Sequence, residues 1–464
     1  MNIIRCTLGG AILIWSSFWN SIYAQNAPTL REIIDSALVH DYNYANKQLS
    51  LEVIELDQER LKDVYMPHIE FSAKEAFTSA AFDLTTPQFF IPQMQFGLPE
   101  HSNRYQVNSF MTTADLKANF VIFAGGKVGY LKKANLEKYQ AQSALLKTDR
   151  TEIIQNITAV YDQLAMLKEV KNLLDESKKR LDENLKTASK ALDYGLITQF
   201  EYNKITLAQA HLDAKYKEYE GKRKLVLLSL HTLTKIDMDR LGNIDADLAI
   251  MNVHFVDEPQ DRAELVALEA AVRATQYKVK AAKTWWIPKV GASASMGYLG
   301  LHNTRVSSRD PFVLTAPNPL DKKIQNFHVM PLATVGVGLK WDIFDGREGI
   351  TETKKAKLEL KMAENNHKDA QDKIGLQLQK NRIELELAND QIVVQEASSR
   401  IAENSMEQAV KEFKVGLIKS TQLLEAENDL QQAKLAYNQA VFQQRRAALE
   451  YLKAAGTLES TPIK

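Results

Sequence analysis

Four stretches of the chain alternate apolar and polar side chains with a period of two. Ile69, Phe71 and Ala73 oppose His68, Glu70, Ser72 and Lys74, and Ala114, Leu116, Ala118 and Phe120 oppose Asp115, Lys117 and Asn119. Further along, Val290, Ala292, Ala294, Met296 and Tyr298 oppose Gly291, Ser293, Ser295 and Gly297. Last, Val335, Val337, Leu339, Trp341 and Ile343 oppose Thr334, Gly336, Gly338, Lys340 and Asp342. Alternation over about 9–11 residues predicts strands of the kind that line a membrane barrel, one face apolar and the other polar. The strands are placed at about 67–78, 113–123, 288–298 and 333–344.

Between them the period changes to that of a helix. Leu30 to Val64 and Ala263 to Thr284 read as helices that stop at a following proline. Lys127 to about Leu192 carries neither Pro nor Gly after Gly129, and such a helix is ~100 Å long at 1.5 Å per residue. Leu174, Leu181, Leu185, Ala188 and Leu192 form one seam, and Leu423, Ala426, Leu430, Ala433, Tyr437 and Ala440 another, at coiled-coil spacing.

The pattern occurs twice. Ile287-Pro288 echoes Met66-Pro67, Trp341-Asp-Ile-Phe344-Asp-Gly346 echoes Phe120-Val-Ile-Phe123-Ala-Gly125, and Val415-Gly416-Leu417-Ile418 echoes Tyr194-Gly195-Leu196-Ile197, each at an offset of 221 residues. The chain is thus read as a segment 1–24, a first repeat 25–245 with a hairpin tip near 194–198, a linker 246–260, a second repeat 261–456 with a tip near 415–421, and a tail 457–464. The connections at 79–112 and 299–332 hold seven prolines between them and read as long outer loops.

Four strands cannot close a barrel, and an unpaired strand edge in lipid leaves backbone groups without partners. Two chains would pool eight strands with little lumen, whereas three would pool twelve around a polar interior. Trp285 and Trp286 before one strand, and Phe123, Trp341 and Phe344 at strand ends, would gather at one barrel end as an interfacial girdle. Gly125, Gly126 and Gly346 would take up the turn from strand to helix.

Composition narrows the field. With 45% hydrophobic and 25% charged residues the chain is neither disordered nor a polytopic helical membrane protein. Lys and Arg number 58, as do Asp and Glu, so a nucleic-acid partner is not expected. Arg5, the apolar run from Leu8 to Trp19 and the small residue Ala24 follow the layout of a secretory signal peptide. Cys6 is the sole cysteine, which excludes disulfide and zinc scaffolds. No catalytic, metal or cofactor motif is present: the histidines are scattered, and Gly125-Gly126-Lys127 lacks the surroundings of a phosphate loop.

The duplicated order of helix, Pro, strand, aromatic-x-Ile-Phe-x-Gly exit and Gly-Leu-Ile break resembles the TolC-like outer membrane factor family, the exit ducts of tripartite efflux pumps and type I secretion systems. The resemblance implies a mainly α protein with β: long coiled-coil helices and two β-hairpins per chain, forming a homotrimer with a twelve-stranded outer-membrane β-barrel and a periplasmic α-helical barrel. It implies a passive channel, not an enzyme, without cofactors, that takes small molecules from an inner-membrane transporter through a periplasmic adaptor (membrane fusion) protein. The adaptor would meet the tips at Tyr194, Gly195, Leu196, Ile197, Thr198, Val415, Gly416, Leu417, Ile418 and Ser420. The family's two constricting aspartates fall at Gln422 and Glu425, and the acidic residue that restrains its closed tip at Glu201. The arginine and tyrosine partners of that acid fall at Ile418 and Phe413, which puts the familiar closing salt bridge in doubt and leaves Lys419 or Lys204 as substitute cations. The same architecture serves type I protein secretion. A trimeric adhesin is disfavoured by strands interleaved with helices and a helical C-terminus, while a soluble periplasmic coiled-coil scaffold stays open and is separated by extraction, since a scaffold leaves with a salt wash and a barrel needs detergent.

Overall fold

A computed structural model describes residues 27–98, 100–257, 259, 262–311 and 318–460. The segment read as a signal peptide, 1–24, and the end of the tail, 461–464, lie outside the described residues. The chain forms two compact units, one of residues 50–143 and 266–369, the other of 1–49, 144–265 and 370–464.

The first unit holds a four-stranded antiparallel sheet in the order β1-β4-β5-β6, made of β1 (His68–Thr86), β4 (His101–Phe123), β5 (Lys289–Pro311) and β6 (Pro319–Lys340). A small hairpin, β2 (Phe89–Ile91) with β3 (Phe96–Leu98), lies between β1 and β4 in sequence. Apolar partners face one another on one side of the sheet, as in Phe71 with Leu116, Ala73 with Ala114, and Ala292 with Val337. The polar side pairs Glu70 with Lys117 and Ser293 with Gly336. At Gly297 an added Cβ would lie 3.0 Å from Asp115 Oδ1, so the missing side chain leaves room for the carboxylate across the ladder.

The strands outrun their sequence-read limits, so most of the two expected loops is ladder. Their distal halves break the alternation, with Phe77 on one face of β1 and Ala80, Phe82 and Leu84 on the other, so a period of two does not pick them out. Charged and aromatic cross-strand pairs hold them. Arg104 donates two hydrogen bonds to Asp83 at 2.7 and 2.9 Å, Arg305 two to Asp321 at 2.9 and 2.7 Å, and Phe82 stacks on Tyr105. At the other end β6 stops at Lys340, short of 344, because its one ladder partner β5 begins at Lys289. Its counterpart β4 reaches Phe123 because β5 pairs it through Val290. β1 and β6 are left as the two sheet edges, 19 and 22 residues long.

Glycine makes the junctions. Gly125, Gly126 and Gly346 have φ of +67°, +77° and +68°, values that side chains resist. Trp286, Phe123, Trp341 and Phe344 are exposed, and Trp341 Nε1 donates to the Trp286 carbonyl at 2.9 Å. Trp285 is half-buried against Gly349, where any Cβ would collide with the indole.

The rest is helical: α1 (Leu30–His40), α2 (Tyr42–Asp63), α3 (Lys127–Asp193), α4 (Gln199–Thr234), α5 (Met238–Gly242), α6 (Ala263–Ala282), α7 (Glu348–Lys414) and α8 (Ser420–Ala455). The helix read from Leu30 to Val64 is broken at Asp41, whose carboxylate accepts from Tyr44 N–H at 2.8 Å and so caps α2. α3 and α7 each have 67 residues, and α4 and α8 each 36.

In the helical unit the seams meet in one core, where Leu174, Leu181, Ala188, Ile205, Leu212, Met406, Phe413, Leu423 and Leu430 pack together. The linker is a strap. Met251 exchanges two hydrogen bonds with the Gln444 amide (3.0 and 2.7 Å), Val256 N–H donates to the Tyr451 hydroxyl (2.8 Å), and Arg445 donates to the Ala249 carbonyl (2.9 Å). Lys168 bridges Asp245 and Asp247 at 2.6 Å each, and these hydrogen bonds raise its pKa.

Candidate functional site: the hairpin tips

Both tips end the long helix in the same way. At the first, Gly195 N–H donates to the Leu192 carbonyl (2.9 Å) and Leu196 N–H to the Ala191 carbonyl (2.8 Å), with Gly195 at φ +69°. At the second, Gly416 N–H donates to the Phe413 carbonyl (3.0 Å) and Leu417 N–H to the Glu412 carbonyl (2.9 Å), with Gly416 at φ +75°. This closure satisfies terminal carbonyls of the helix and needs a left-handed residue, for which glycine is suited.

The four-residue runs divide by role. Leu196 and Leu417 are 77% and 75% exposed, and Tyr194 and Val415 are likewise open to solvent. Ile197 and Ile418, the next residues, turn inward and pack on the helical core. Each tip thus presents a large apolar side chain beyond a fixed turn, held by an isoleucine anchor. Ser420 does not belong with the contact residues: it is 1% exposed, within the first turn of α8.

The return helices begin at caps. Thr198 Oγ1 accepts from Glu201 N–H (3.2 Å), while Glu201 Oε2 accepts from Thr198 N–H (3.1 Å), a reciprocal capping box. The repeat offset places Lys419 and Gln422 at these positions in the second tip. Gln422 Oε1 accepts from Lys419 N–H at 3.0 Å, but lysine has no acceptor to return, so half the box remains. Glu201 and Gln422 therefore serve their own helix starts. Glu425 is exposed on α8 and bound to no capping role. Its equivalent in the first repeat is Lys204, whose ammonium lies 5.2 Å from the centre of the Phe200 ring.

The structure adds a buried polar cluster that the sequence reading does not assemble. Glu427 is buried on α8 and accepts from Ser177 (2.5 Å), from Arg180 Nε and Nη2 (2.9 and 3.1 Å) and from Gln431 (3.1 Å). Burial lowers the Arg180 pKa, but Glu427 and Glu176 outweigh it and the net shift is upward. The group ties the two hairpins together, about two turns into α8 and nearly four turns before the end of α3. Its signal was available: Glu427 falls between Leu423 and Leu430 on the apolar seam, where a carboxylate requires a partner.

Among the described residues no group of three or more His, Cys, Asp or Glu could hold a metal ion, and no helix is long and apolar enough to cross a membrane. The latter says nothing of the sheet.

Residues 257–457 match the family model described as outer membrane efflux protein. The outer membrane efflux protein BepC of Brucella suis biovar 1 (strain 1330) is 21% identical over 369 residues, covering 76% of this chain and 73% of BepC. Two solved structures share the fold. The outer membrane protein VceC of Vibrio cholerae superposes with a TM-score of 0.66 at 17% identity, over 92% of this chain and 96% of that one. The CmeC outer membrane channel of Campylobacter jejuni gives 0.66 at 17% identity, over 99% and 94%. The second repeat thus matches the outer membrane efflux protein family model, and the chain as a whole has the fold of these outer-membrane channel proteins.

Proposed function

We propose that three copies of this chain close into one channel, the passive outer-membrane exit of a tripartite efflux pump. The observation that carries the reading is the pair of bare sheet edges, β1 and β6, 19 and 22 residues long. In lipid such edges are tolerated only when another strand covers them. Three sheets of four strands make a twelve-stranded barrel, whose apolar face meets lipid and whose Ser- and Gly-rich face lines a wet lumen.

Cargo is delivered by an inner-membrane transporter and passes a periplasmic adaptor that docks on the tips. Leu196 and Leu417 are the anchors of that contact: burying such side chains against an adaptor removes apolar area from water, while the left-handed glycines hold the loop in one shape. Outward movement of the tip hairpins opens the periplasmic end. No residue performs chemistry.

The test places cysteine at Leu196 or Leu417 and crosslinks in cells. Capture of a periplasmic adaptor at both tips supports the reading. A channel that forms pores in planar lipid but captures no adaptor at either tip overturns the docking role. A monomer in mild detergent without pore activity overturns the channel itself.

A further inference from the structure

The offset of 221 residues reproduces hydrogen-bond register as well as sequence. Added to each pair of the β1·β4 ladder from His68↔Asn119 to Ala76↔Met111, it returns the β5·β6 ladder from Lys289↔Lys340 to Gly297↔Leu332 without a slip. The two hairpins are thus equivalent residue by residue across the membrane-facing part of the sheet. The central β4·β5 ladder has no equivalent within one chain. Its counterpart would join β6 to β1, and these lie at opposite margins of the sheet, three strand spacings or about 14 Å apart.

We propose that β6 of one copy pairs with β1 of the next in the register of the β4·β5 ladder, carried over by the same offset; the inference rests on the three-copy barrel proposed above. The pairs Thr113↔Leu299 through Val121↔Gly291 then become Thr334 with Thr78 through Asp342 with Glu70. Val335 faces Phe77, Gly338 faces Lys74, Leu339 faces Ala73 and Trp341 faces Phe71, the second residue of each pair on the neighbouring copy.

Three further observations agree with this register. It keeps the faces: Val335, Leu339, Phe71 and Phe77, all exposed in the single chain, fall on the one apolar side. A slip of one residue would turn them into the lumen. It also puts small residues opposite larger ones. Gly336 and Gly338 have open space where a Cβ would stand, and Lys74 would lie across from Gly338, as Asp115 lies across from Gly297 within the chain.

Most specifically, the register accounts for the early end of β6. Residues 120–123 of β4 are strand because β5 pairs them, beyond the point where β1 stops at Asn119. Their counterparts 341–344 follow the last β6 pair, Lys340 with Lys289, and have no strand beside them in one chain. The neighbouring β1 supplies it, and 341–344 joins the ladder on assembly.

A two-residue slip keeps the faces and is the competing arrangement. Double-cysteine variants of the full chain in a Cys6→Ser background distinguish them. Lys74→Cys with Gly338→Cys is to be oxidised with copper–phenanthroline in the assembled protein, beside the slip pairs Lys74→Cys with Gly336→Cys and Lys74→Cys with Lys340→Cys. The matched pair is expected to give covalent trimers on denaturing gels at least tenfold more efficiently than either slip pair. Ala73→Cys with Leu339→Cys repeats the test on the apolar face, for use if the lumen variants fail to assemble. Preferential linking of a slip pair, or no linking on either face in a protein that remains trimeric, overturns the register and leaves the channel standing. A protein that is monomeric in mild detergent and links nowhere overturns the channel reading instead.

Discussion

Arg445 on α8 donates from Nη2 to Asp162 Oδ1 on α3 at 2.8 Å, and both side chains are buried. The same guanidinium donates to the Ala249 carbonyl, so one residue fastens two helices and the strap. Removing one partner of a buried pair strands the other, at a cost of about 3–5 kcal/mol. Arg445→Met is therefore expected to lower the thermal midpoint and raise hydrogen exchange around 249. Asp162→Leu with Arg445→Met should recover much of the midpoint but not the protection at 249, read by circular dichroism and exchange mass spectrometry.

The same pair has a pH signature. Burial pushes the Asp162 carboxyl up, against the Arg445 hydrogen bond and charge that pull it down, and the net shift is upward. With the folded value above the unfolded one, the native chain holds more protons between the two. Stability from this site thus falls as pH rises through that window and is regained below it. Relative to Asp162→Asn, the wild-type chain should gain stability on acidification from pH 7 towards the ordinary carboxylate range, about 4. Chemical denaturation across that range tests it, and a difference constant with pH would refute it.

Arg180→Ala leaves the Glu427 carboxylate with Ser177 and Gln431 alone. A loss of about 3 kcal/mol or more is expected, whereas Glu427→Gln, which keeps an acceptor and removes the charge, should cost less than half as much. Because the cluster joins the hairpins near the tip, Arg180→Ala is also expected to lengthen open times in single-channel recordings.

Gly195→Ala and Gly416→Ala isolate backbone strain, since at both positions a Cβ meets nothing within 4 Å. Each should cost about 1 kcal/mol through the positive φ alone. The loss should appear as faster exchange confined to the tip, with the rest of α3 or α7 unchanged.

Glu201 and Glu425 separate capping from charge. Glu201→Ala removes half of the α4 capping box and should cost about 1 kcal/mol. Glu201→Gln should keep most of the cap, as Gln422 does in the second repeat. Glu425→Lys would give the second repeat the charge of its equivalent Lys204 and should shift the reconstituted channel towards anions, read as a change in reversal potential under a salt gradient.

The reach of the sequence follows from where one face of an element differs from the other. Ile69 to Phe77 alternate, and the ladder is where the pattern puts it. Asp83 and Arg104 sit where the apolar positions have changed face, from Phe77 to Ala80, Phe82 and Leu84, and their stretch reads as loop. The tips were legible because a Gly-Leu-Ile break in a long helical pattern has few other meanings. The inward turn of Ser420 and the engagement of Glu201 and Gln422 in caps depend on helix phase at the first turn, which sequence boundaries locate only to within a few residues. Glu427 and Asp162 needed partners some 250 to 280 residues away, a separation no local pattern spans.

The strap between the repeats also governs how the two copies can diverge. In the three-copy channel proposed above, six separate identical units around the axis would have to carry the same residue at every equivalent place. Tethering them in pairs by 246–256 lets the two copies differ. Thr198 stands against Lys419, and Lys204 against Glu425. Covalent fusion would thus turn a six-fold design into one whose neighbours alternate, with two kinds of tip instead of one.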